Sequence, residues 1–201
     1  MNKIILIGMG GHALSCLDII IELDYDVLGF IDDKNIQNPY KINYLGNDND
    51  LKKILKKENN YFGLIAFGNN KFINSRAELF SKLTKLGMKF TAIYPSSAYI
   101  SKMSSIGIGT IIMHRTVINT QVNIGKNCII NTGSIIDHNS IIGDNCIVST
   151  NVTINGNVKV SNNTFIGSGA IIFNDINIGK NCVISSGAVI RRDLTDNTII
   201  K

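Results

Sequence analysis

Branched apolar residues recur at a fixed spacing in the second half of the chain. Isoleucine or valine occupies every sixth position from Ile100 to Ile190, sixteen times in succession. Neither the period of an α-helix nor the alternation of a β-strand produces this spacing. Six-residue repeats are typical of a solenoid in which three short strands and their corners form one coil of eighteen residues. The pattern therefore predicts a parallel β-helix of hexapeptide repeats.

A second periodicity explains three of the four cysteines. Small residues stand two positions before most of the repeated isoleucines and valines. One column of them contains Cys128, Cys146 and Cys182 together with Thr110 and Thr164. No two cysteines form a CxxC pair, so a zinc site or a thioredoxin-like motif is not expected. We expect these cysteines to be buried, reduced spacers in the stack of coils.

The first half of the chain alternates strand-like and helix-like segments instead. Strands are predicted at 3–8, 26–31, 61–67 and 89–93, and helices at 13–23, 48–57 and 73–86, the last one ending at Gly87. This βαβαβαβ order predicts a small, Rossmann-like parallel sheet with helices on its faces. The pattern changes after Pro95, so we predict two domains, 1–94 and 95–201.

Composition and charge narrow the class of protein. Hydrophobic residues make up 44% of the chain and charged residues 17%, which indicates a folded protein rather than a disordered one. No apolar run is long enough to cross a membrane, and the first residues lack a signal-peptide layout, so we expect a cytoplasmic protein. The net charge of +5 serves either solubility or the attraction of small anions. Nucleic acid is not expected as a partner, because the lysines are scattered.

A glycine-rich loop follows the first predicted strand and opens the first helix. Residues 8–13 read G-M-G-G-H-A, and Asp32 and Asp33 follow about twenty residues later. Glycines at this position let the backbone approach a phosphate at a helix N-terminus. A tight turn without a ligand is the alternative. The sheet is too short for a complete dinucleotide site, so we expect a nucleotide pocket. A second cluster after the third predicted strand, Gly68, Asn69 and Asn70, belongs at the same edge of the sheet.

One histidine is a candidate for acid–base chemistry. His138 lies two residues past a core isoleucine, which places it at a corner of the coil and facing outward. The imidazole group changes charge near neutral pH, as a general base for an amine or a hydroxyl requires. A plain surface role is the alternative. His114 belongs to a different corner, and we expect it to be a surface residue.

These motifs together resemble one family. A G-x-G-G-H-A loop, an F-x-D-D segment at 30–33, a G-N-N segment at 68–70 and hexapeptide repeats that carry D-H resemble the sialic acid O-acetyltransferase (NeuD) and PglD-type sugar-nucleotide N-acetyltransferases. The resemblance covers essentially the whole chain. It implies a left-handed β-helix and a homotrimer with active sites between neighbouring β-helices. It also implies a nucleotide-linked sugar on the N-terminal domain and acetyl-CoA along the β-helix.

The resemblance implies roles for individual residues. The expected catalytic residues are His138 as the base, Asn139 and Asn131. The expected substrate-binding residues are Gly10, Gly11, His12, Asp32, Asp33, Gly68 and Asn69. The expected contacts of acetyl-CoA are Gly156, Ser168, Ser186 and Ala188. No metal is expected.

The sequence departs from the family at the residue after the base. Family members usually carry Glu or Asp there, whereas this chain has Asn139. An amide can orient an imidazole by hydrogen bonding, but it cannot stabilise the imidazolium cation as a carboxylate does. Family members also commonly carry a second histidine one face further along the coil. The corresponding segment of this chain, 147–152, reads I-V-S-T-N-V and lacks it.

The leading hypothesis is an acetyl-CoA-dependent N-acetyltransferase acting on a nucleotide-linked amino sugar, a 4-amino-4,6-dideoxyhexose, for bacterial surface glycan synthesis. Acetylation of a hydroxyl of sialic acid or another sugar is the close alternative, since the same base serves either nucleophile. A non-catalytic nucleotide-sugar-binding homologue is a third hypothesis, which Asn139 favours.

Overall fold

The structure is a computed structural model that describes residues 2–51, 53–54, 60–68 and 73–201. The chain forms two compact units. The first contains Met1–Phe67 and Glu78–Thr91, and the second contains Gly68–Ala77 and Ala92–Lys201.

The first unit is built around a parallel sheet of five strands. They are β1 Lys3–Ile7, β2 Asp26–Ile31, β3 Tyr44–Gly46, β4 Tyr61–Ile65 and β5 Lys89–Phe90, in the order β3-β2-β1-β4-β5. The four predicted strands are confirmed, and β3 is an addition. It has only three residues, too few to show an alternating pattern. Apolar side chains from β1, β2 and β4 pack with Leu83 and Met88 in the core.

Two helices are described completely. Helix α1 spans Gly11–Glu22 and α2 spans Ile73–Lys85, so both begin and end within two residues of the prediction. Gly87 ends α2 as predicted: its φ is +91°, and the backbone N–H of Met88 donates to the carbonyl of Leu83. Of the helix predicted at 48–57, Leu51, Lys53 and Ile54 are helical, and residues 52 and 55–57 lie outside the described part of the chain.

The second unit contains the β-helix. Each predicted isoleucine or valine from Ile100 to Ile190 is the second residue of a two-residue strand. The strands are β6 Tyr99–Ile100, β7 Ser105–Ile106, β8 Ile111–Ile112, β9 Val117–Ile118, β10 Asn123–Ile124, β11 Ile129–Ile130, β12 Ile135–Ile136, β13 Ile141–Ile142, β14 Ile147–Val148, β15 Thr153–Ile154, β16 Lys159–Val160, β17 Phe165–Ile166, β18 Ile171–Ile172, β19 Asn177–Ile178, β20 Val183–Ile184, β21 Val189–Ile190 and β22 Ile199–Ile200.

The strands form three parallel sheets, which are the three faces of the coil. Face 1 contains β6, β9, β12, β15, β18 and β21; face 2 contains β7, β10, β13, β16 and β19; face 3 contains β8, β11, β14, β17, β20 and β22. Residues eighteen apart pair directly, as Ile136 does with Ile118 and Ile154. The repeated isoleucines and valines therefore stack in one continuous core.

The small residues form a hydrogen-bonded column inside this stack. The thiols of Cys128 and Cys146 lie 3.1 and 3.2 Å from the carbonyl oxygens of Gly143 and Ser161, fifteen residues further on. Thr110 bonds to Gly125 in the same way, at 2.8 Å. Burial raises the pKa of the Cys146 thiol well above its ordinary value. The cysteines in this column are buried spacers, as predicted.

Asparagine occupies most of the sharp corners. Of eleven non-glycine residues with positive φ between residues 115 and 197, eight are asparagine. Asparagine tolerates this conformation better than other non-glycine residues. At the corner between faces 2 and 3 the amides also bond from coil to coil, with Asn145 2.9 Å from Asn127 and 3.1 Å from Asn163. The corner asparagines therefore adopt the positive φ that each corner needs. Their side-chain amides also bond to those of the neighbouring coils.

Candidate functional site

The glycine loop after β1 contains glycines of two kinds. Gly8 has φ +97°, and a Cβ on it would lie 3.1 Å from the Phe67 ring, so the fold itself requires glycine there. Gly10 and Gly11 have ordinary φ values, and a Cβ on either would meet no atom of the described residues within 4 Å. Folding of the described chain does not explain the absence of side chains at 10 and 11. A ligand that approaches the backbone would explain it.

The N-terminus of α1 is open to an anion. Gly10 occupies the N-cap position without a side-chain hydrogen bond, and the first turn of the helix contains no acidic residue. Unsatisfied N–H groups and the helix dipole make such a terminus attractive to phosphate. The predicted contact of Gly10 and Gly11 with a substrate stays a prediction.

The two aspartates after β2 differ in their surroundings. One carboxylate oxygen of Asp32 accepts a hydrogen bond from the backbone N–H of Met9 at 2.9 Å, so Asp32 ties the glycine loop to the end of β2. Asp33 is exposed. Of the two predicted ligand contacts, Asp32 holds the loop and Asp33 is the more accessible carboxylate.

His12 is half-buried on the first turn of α1. Its Nε2 lies 3.6 Å from the thiol sulfur of Cys16, one helical turn further on. Cys16 had no assigned role in the sequence analysis, although the spacing of four residues on a helix brings the two side chains to one face. The thiol thus helps to orient the ring of His12.

A cavity of about 660 Å³ lies in the loop between β2 and β3. Its lining is rich in amides, and this volume is within the range of small-molecule sites. The lining residues are Asn35, Ile36, Gln37, Asn38, Lys41, Ile42, Asn43 and Tyr44. The sequence analysis missed this cavity, because a loop without periodicity gives no sign of the space it encloses.

Gly68 has a packing role in the second unit. A Cβ on Gly68 would lie 2.6 Å from the Cδ1 atom of Ile129, so a larger residue would displace that side chain of face 3. Arg76 is buried nearby, and its Nε donates to the carbonyl oxygen of Asn127 at 3.4 Å. Asn69 and Asn70 lie outside the described residues, and the predicted role of Asn69 stays a prediction.

His138 lies at the corner between faces 1 and 2, exposed as predicted. Its Nδ1 is 2.9 Å from the amide oxygen of Asn139, and the Nδ2 of Asn139 donates to the Oε1 of Gln121 at 2.7 Å. The backbone N–H of His138 donates to Asp137 at 2.8 Å. Because an amide oxygen can only accept, Nδ1 carries the proton in this arrangement and Nε2 keeps its lone pair.

Gly156 lies directly beneath the imidazole ring, one coil further on. A Cβ on Gly156 would be 2.6 Å from the Cε1 and 2.7 Å from the Nε2 of His138. The backbone of Gly156 does not have a positive φ, so the conformation does not demand glycine. A side chain at this position would instead displace the neighbouring ring. The motifs of the sequence did not predict this contact, although the spacing of eighteen residues between 138 and 156 could have indicated it.

The other predicted β-helix residues lie at a different corner. Asn131, Ser168 and Ser186 belong to the corner between faces 3 and 1, and Ala188 directly precedes strand β21 of face 1. Ser168 and Ser186 are exposed, whereas the amide oxygen of Asn131 accepts a hydrogen bond from the backbone of Thr132 at 2.8 Å. Within one chain the structure does not bring these residues to His138.

His114 is half-buried at the corner between faces 3 and 1, and its Nδ1 is 2.8 Å from the hydroxyl of Ser97. It is therefore a hydrogen-bonded residue and not simply a surface one.

Across the described ranges, no group of three His, Cys, Asp or Glu side chains is placed to hold a metal ion.

Comparisons with known families agree with the two-part organisation. Residues 3–83 match the PglD N-terminal domain. Residues 121–156 match the bacterial transferase hexapeptide (six repeats), and residues 157–192 match the hexapeptide repeat of succinyl-transferase. No curated protein sequence matches the chain. None of the helices in the described part of the chain is long and apolar enough to cross a membrane.

Solved structures share the whole fold. The acetyltransferase domain of PglB from Neisseria gonorrhoeae is 24% identical with a TM-score of 0.90, over 99% of this chain and 96% of that chain. PerB from Caulobacter crescentus, in complex with CoA and GDP-perosamine, is 26% identical with a TM-score of 0.89, over 99% and 93%. WeeI from Acinetobacter baumannii is 23% identical with a TM-score of 0.83, over 99% and 96%.

The matched repeats and the shared fold define the class of this protein, a hexapeptide-repeat acyltransferase with a left-handed parallel β-helix. Because a PglD N-terminal domain precedes those repeats, the chain is of the PglD type. The predicted family and fold class are confirmed.

Proposed function

We propose that the protein is an acetyl-CoA-dependent N-acetyltransferase that acts on a nucleotide-linked amino sugar, a 4-amino-4,6-dideoxyhexose of bacterial surface glycan synthesis. The observation that carries the proposal is His138, held at a corner of an acyltransferase β-helix with the lone pair of Nε2 free. The likeness to PerB, whose structure contains CoA and GDP-perosamine, supports the choice of an amino sugar as acceptor.

The proposed reaction is a direct transfer. The amine of the sugar attacks the thioester carbonyl of acetyl-CoA, and Nε2 of His138 takes the proton that the nitrogen loses. The tetrahedral intermediate collapses, the carbon–sulfur bond breaks, and CoA leaves as the thiol with the proton that Nε2 of His138 took from the amine, which returns His138 to its neutral form. The products are an acetamido sugar and CoA. Asn139 orients the imidazole, and Asn131 is proposed as the third catalytic residue.

The two domains, 1–94 and 95–201, divide the substrates in this proposal. The open backbone at Gly10 and Gly11, the α1 N-terminus, His12 and the aspartates after β2 would hold the diphosphate and sugar of the nucleotide. Gly68 and Asn69 are the remaining predicted contacts. Acetyl-CoA would extend along the β-helix past Gly156, Ser168, Ser186 and Ala188.

A homotrimer in the cytoplasm is part of the proposal. On face 1 the outward residues Ile135, Ile171 and Val189 are 38–45% exposed, whereas Ile129 and Ile147 on face 3 are buried. An exposed apolar stripe on a β-helix needs a covering surface. A neighbouring β-helix would provide it and would bring corners of two chains together.

The test is thiol release from acetyl-CoA in the presence of a panel of UDP-, dTDP- and GDP-linked amino sugars. We expect release with at least one 4-amino sugar and an amide in the product by NMR. An ester in the product would instead identify an O-acetyltransferase. Tight binding of a sugar nucleotide without any thiol release would contradict the proposal and identify a non-catalytic homologue.

A further inference from the structure

We propose that Gln121 is a positioning residue for the base, and that it acts through Asn139 to keep the ring proton of His138 on Nδ1. The inference rests on the proposed function, in which Nε2 of His138 accepts the proton of the amine. No motif of the sequence analysis included Gln121, which lies one coil before Asn139.

The residue that follows the proposed base is an amide, Asn139. An amide presents an oxygen that accepts or a nitrogen that donates, and a half-turn of the group exchanges them. With the oxygen toward His138, Nδ1 must donate and Nε2 is the free base. With the nitrogen toward His138, Nδ1 must accept, the proton moves to Nε2, and Nε2 can no longer accept one. A carboxylate has no such ambiguity.

Gln121 selects one of the two orientations of the Asn139 amide by bonding to the end of the amide that faces away from His138. The Nδ2 of Asn139 donates to the Oε1 of Gln121 at 2.7 Å, which leaves the Oδ1 of Asn139 facing Nδ1 of His138 at 2.9 Å. The three side chains form one chain of hydrogen bonds across two coils. Gln121 and Asn139 together thus take over the orienting part of a carboxylate's role.

The coil geometry holds both ends of this chain. The backbone N–H of Asn139 donates to the carbonyl of Thr120 at 3.1 Å, which fixes the two corners against each other. The carboxylate of Asp137 accepts from the backbone N–H of His138 and from Asn119, both at 2.8 Å. The relay, as we call the hydrogen-bonded chain of Gln121, Asn139 and His138, is therefore built on a fixed backbone. The orientation of the Asn139 amide is the part of it that can still change.

The central variant is Gln121→Met, which keeps the length of the side chain at a corner with φ +58° and removes its hydrogen bond. The ring ¹⁵N chemical shifts of His138 are measured in the full chain without substrates, with His138→Gln for assignment. We expect the wild type to show the proton on Nδ1 and the variant to show an increased population with the proton on Nε2. The kcat should fall by about twofold to tenfold, the effect of one lost neutral hydrogen bond, with both KM values unchanged.

Two variants test the relay in the opposite direction. Gln121→Asn should restore wild-type shifts and kcat, because Asn127 and Asn145 show that asparagine spans neighbouring coils at 2.9 Å. In an Asn139→Asp background, Gln121→Met should no longer change the ring shifts, since a carboxylate accepts from Nδ1 in either orientation. Asn145→Met is the matched control. It breaks two coil-to-coil amide bonds at another corner and should leave the His138 shifts unchanged.

The outcomes separate this inference from the proposed function. Unchanged ring shifts and kcat in Gln121→Met would overturn the relay, as would a wild-type ring protonated on Nε2. A raised KM with unchanged kcat would do the same, because it would make Gln121 a substrate contact. If the shifts respond as expected and no amino sugar is acetylated, the relay stands and the proposed function fails.

Discussion

The β-helix and the N-terminal unit bring residues together by different rules. In the β-helix, neighbours on a face or at a corner are eighteen residues apart, as His138 and Gly156 are. In the N-terminal unit, contacts depend on which strands lie side by side: Asp32 meets Met9 because β2 pairs with β1. Position in the β-helix follows from counting, whereas position in the α/β unit follows only from the topology of the sheet.

The two regions also use glycine differently. Gly156 lacks a side chain because the imidazole of its own chain occupies that space. Gly10 and Gly11 lack side chains although no described part of the chain occupies the space beside them. A glycine that the fold does not require indicates a ligand more directly than one that it does.

The largest expected effect is a break of the coil register. Deleting residues 144–145 would move every later isoleucine and valine of the repeat out of the core, so we expect loss of cooperative folding. Deleting one whole coil, residues 159–176, should preserve the register and leave a folded protein. Circular dichroism with thermal melting distinguishes the two. Equal stability of both deletion variants would mean that the period of eighteen does not hold the β-helix together.

Next in size is removal of the base. His138→Ala should lower kcat by about 10²–10⁴-fold, the usual contribution of a positioned general base. Thermal stability and the binding of each substrate should change little, because the side chain is exposed. Steady-state kinetics, with isothermal titration for binding, provide the measurement. A kcat within about threefold of wild type is too small a loss for a working base and would remove His138 from the mechanism.

A smaller effect is expected from Gly156→Ala. The added methyl group would lie 2.6 Å from the imidazole, and the ring must move by a large part of an ångström. Misplacement on this scale costs up to about 10²-fold in rate. We expect kcat to fall while the melting temperature stays close to wild type. A crystal structure of the variant with an unmoved His138 ring and a normal kcat would contradict the interpretation of this contact.

The corresponding change in the N-terminal unit is Gly11→Leu. Since no atom of the described residues lies within 4 Å of the added Cβ, and leucine favours a helix more than glycine does, the fold should be as stable as wild type or more stable. The KM for the sugar nucleotide should rise by about tenfold or more, a loss of about 1.4 kcal/mol in binding. The KM for acetyl-CoA should not change. Equal damage to both constants would contradict the proposed division of substrates.

The smallest effect concerns the cysteine column. Cys146→Ala removes the bond to the carbonyl of Ser161 and should cost about 1 kcal/mol in the free energy of unfolding. Cys146→Thr should cost less, because Thr110 and Thr164 make the same bond in the same column. Urea unfolding measures both. A larger loss for threonine than for alanine would show that volume, not the hydrogen bond, decides this position.

Much of the fold could be predicted because it repeats or alternates. The spacing of six identified all the strands from β6 to β21, since each contributes one branched residue to the same core. Strand β3 was missed, because a three-residue edge strand is defined by its pairing with β2 and not by its own pattern. The cavity lined by residues 35–44 was also not predicted, because the loop that forms it has no repeating pattern.

The candidate site was only partly accessible from the sequence. The proposed base His138, the glycine loop and the aspartates could be named as candidates from motifs and spacing. The chain alone determined the period of the β-helix, the column of small residues and the position of His138 at an outward corner, since these follow from counting. The tertiary structure decided which side chains share that corner, that Gln121 accepts a hydrogen bond from the amide of Asn139 and that Gly156 leaves room for the ring. Those contacts depend on the direction in which each side chain leaves the coil and on which amide atom faces its neighbour. Spacing brings two residues close together, but it does not set the orientation of their side chains.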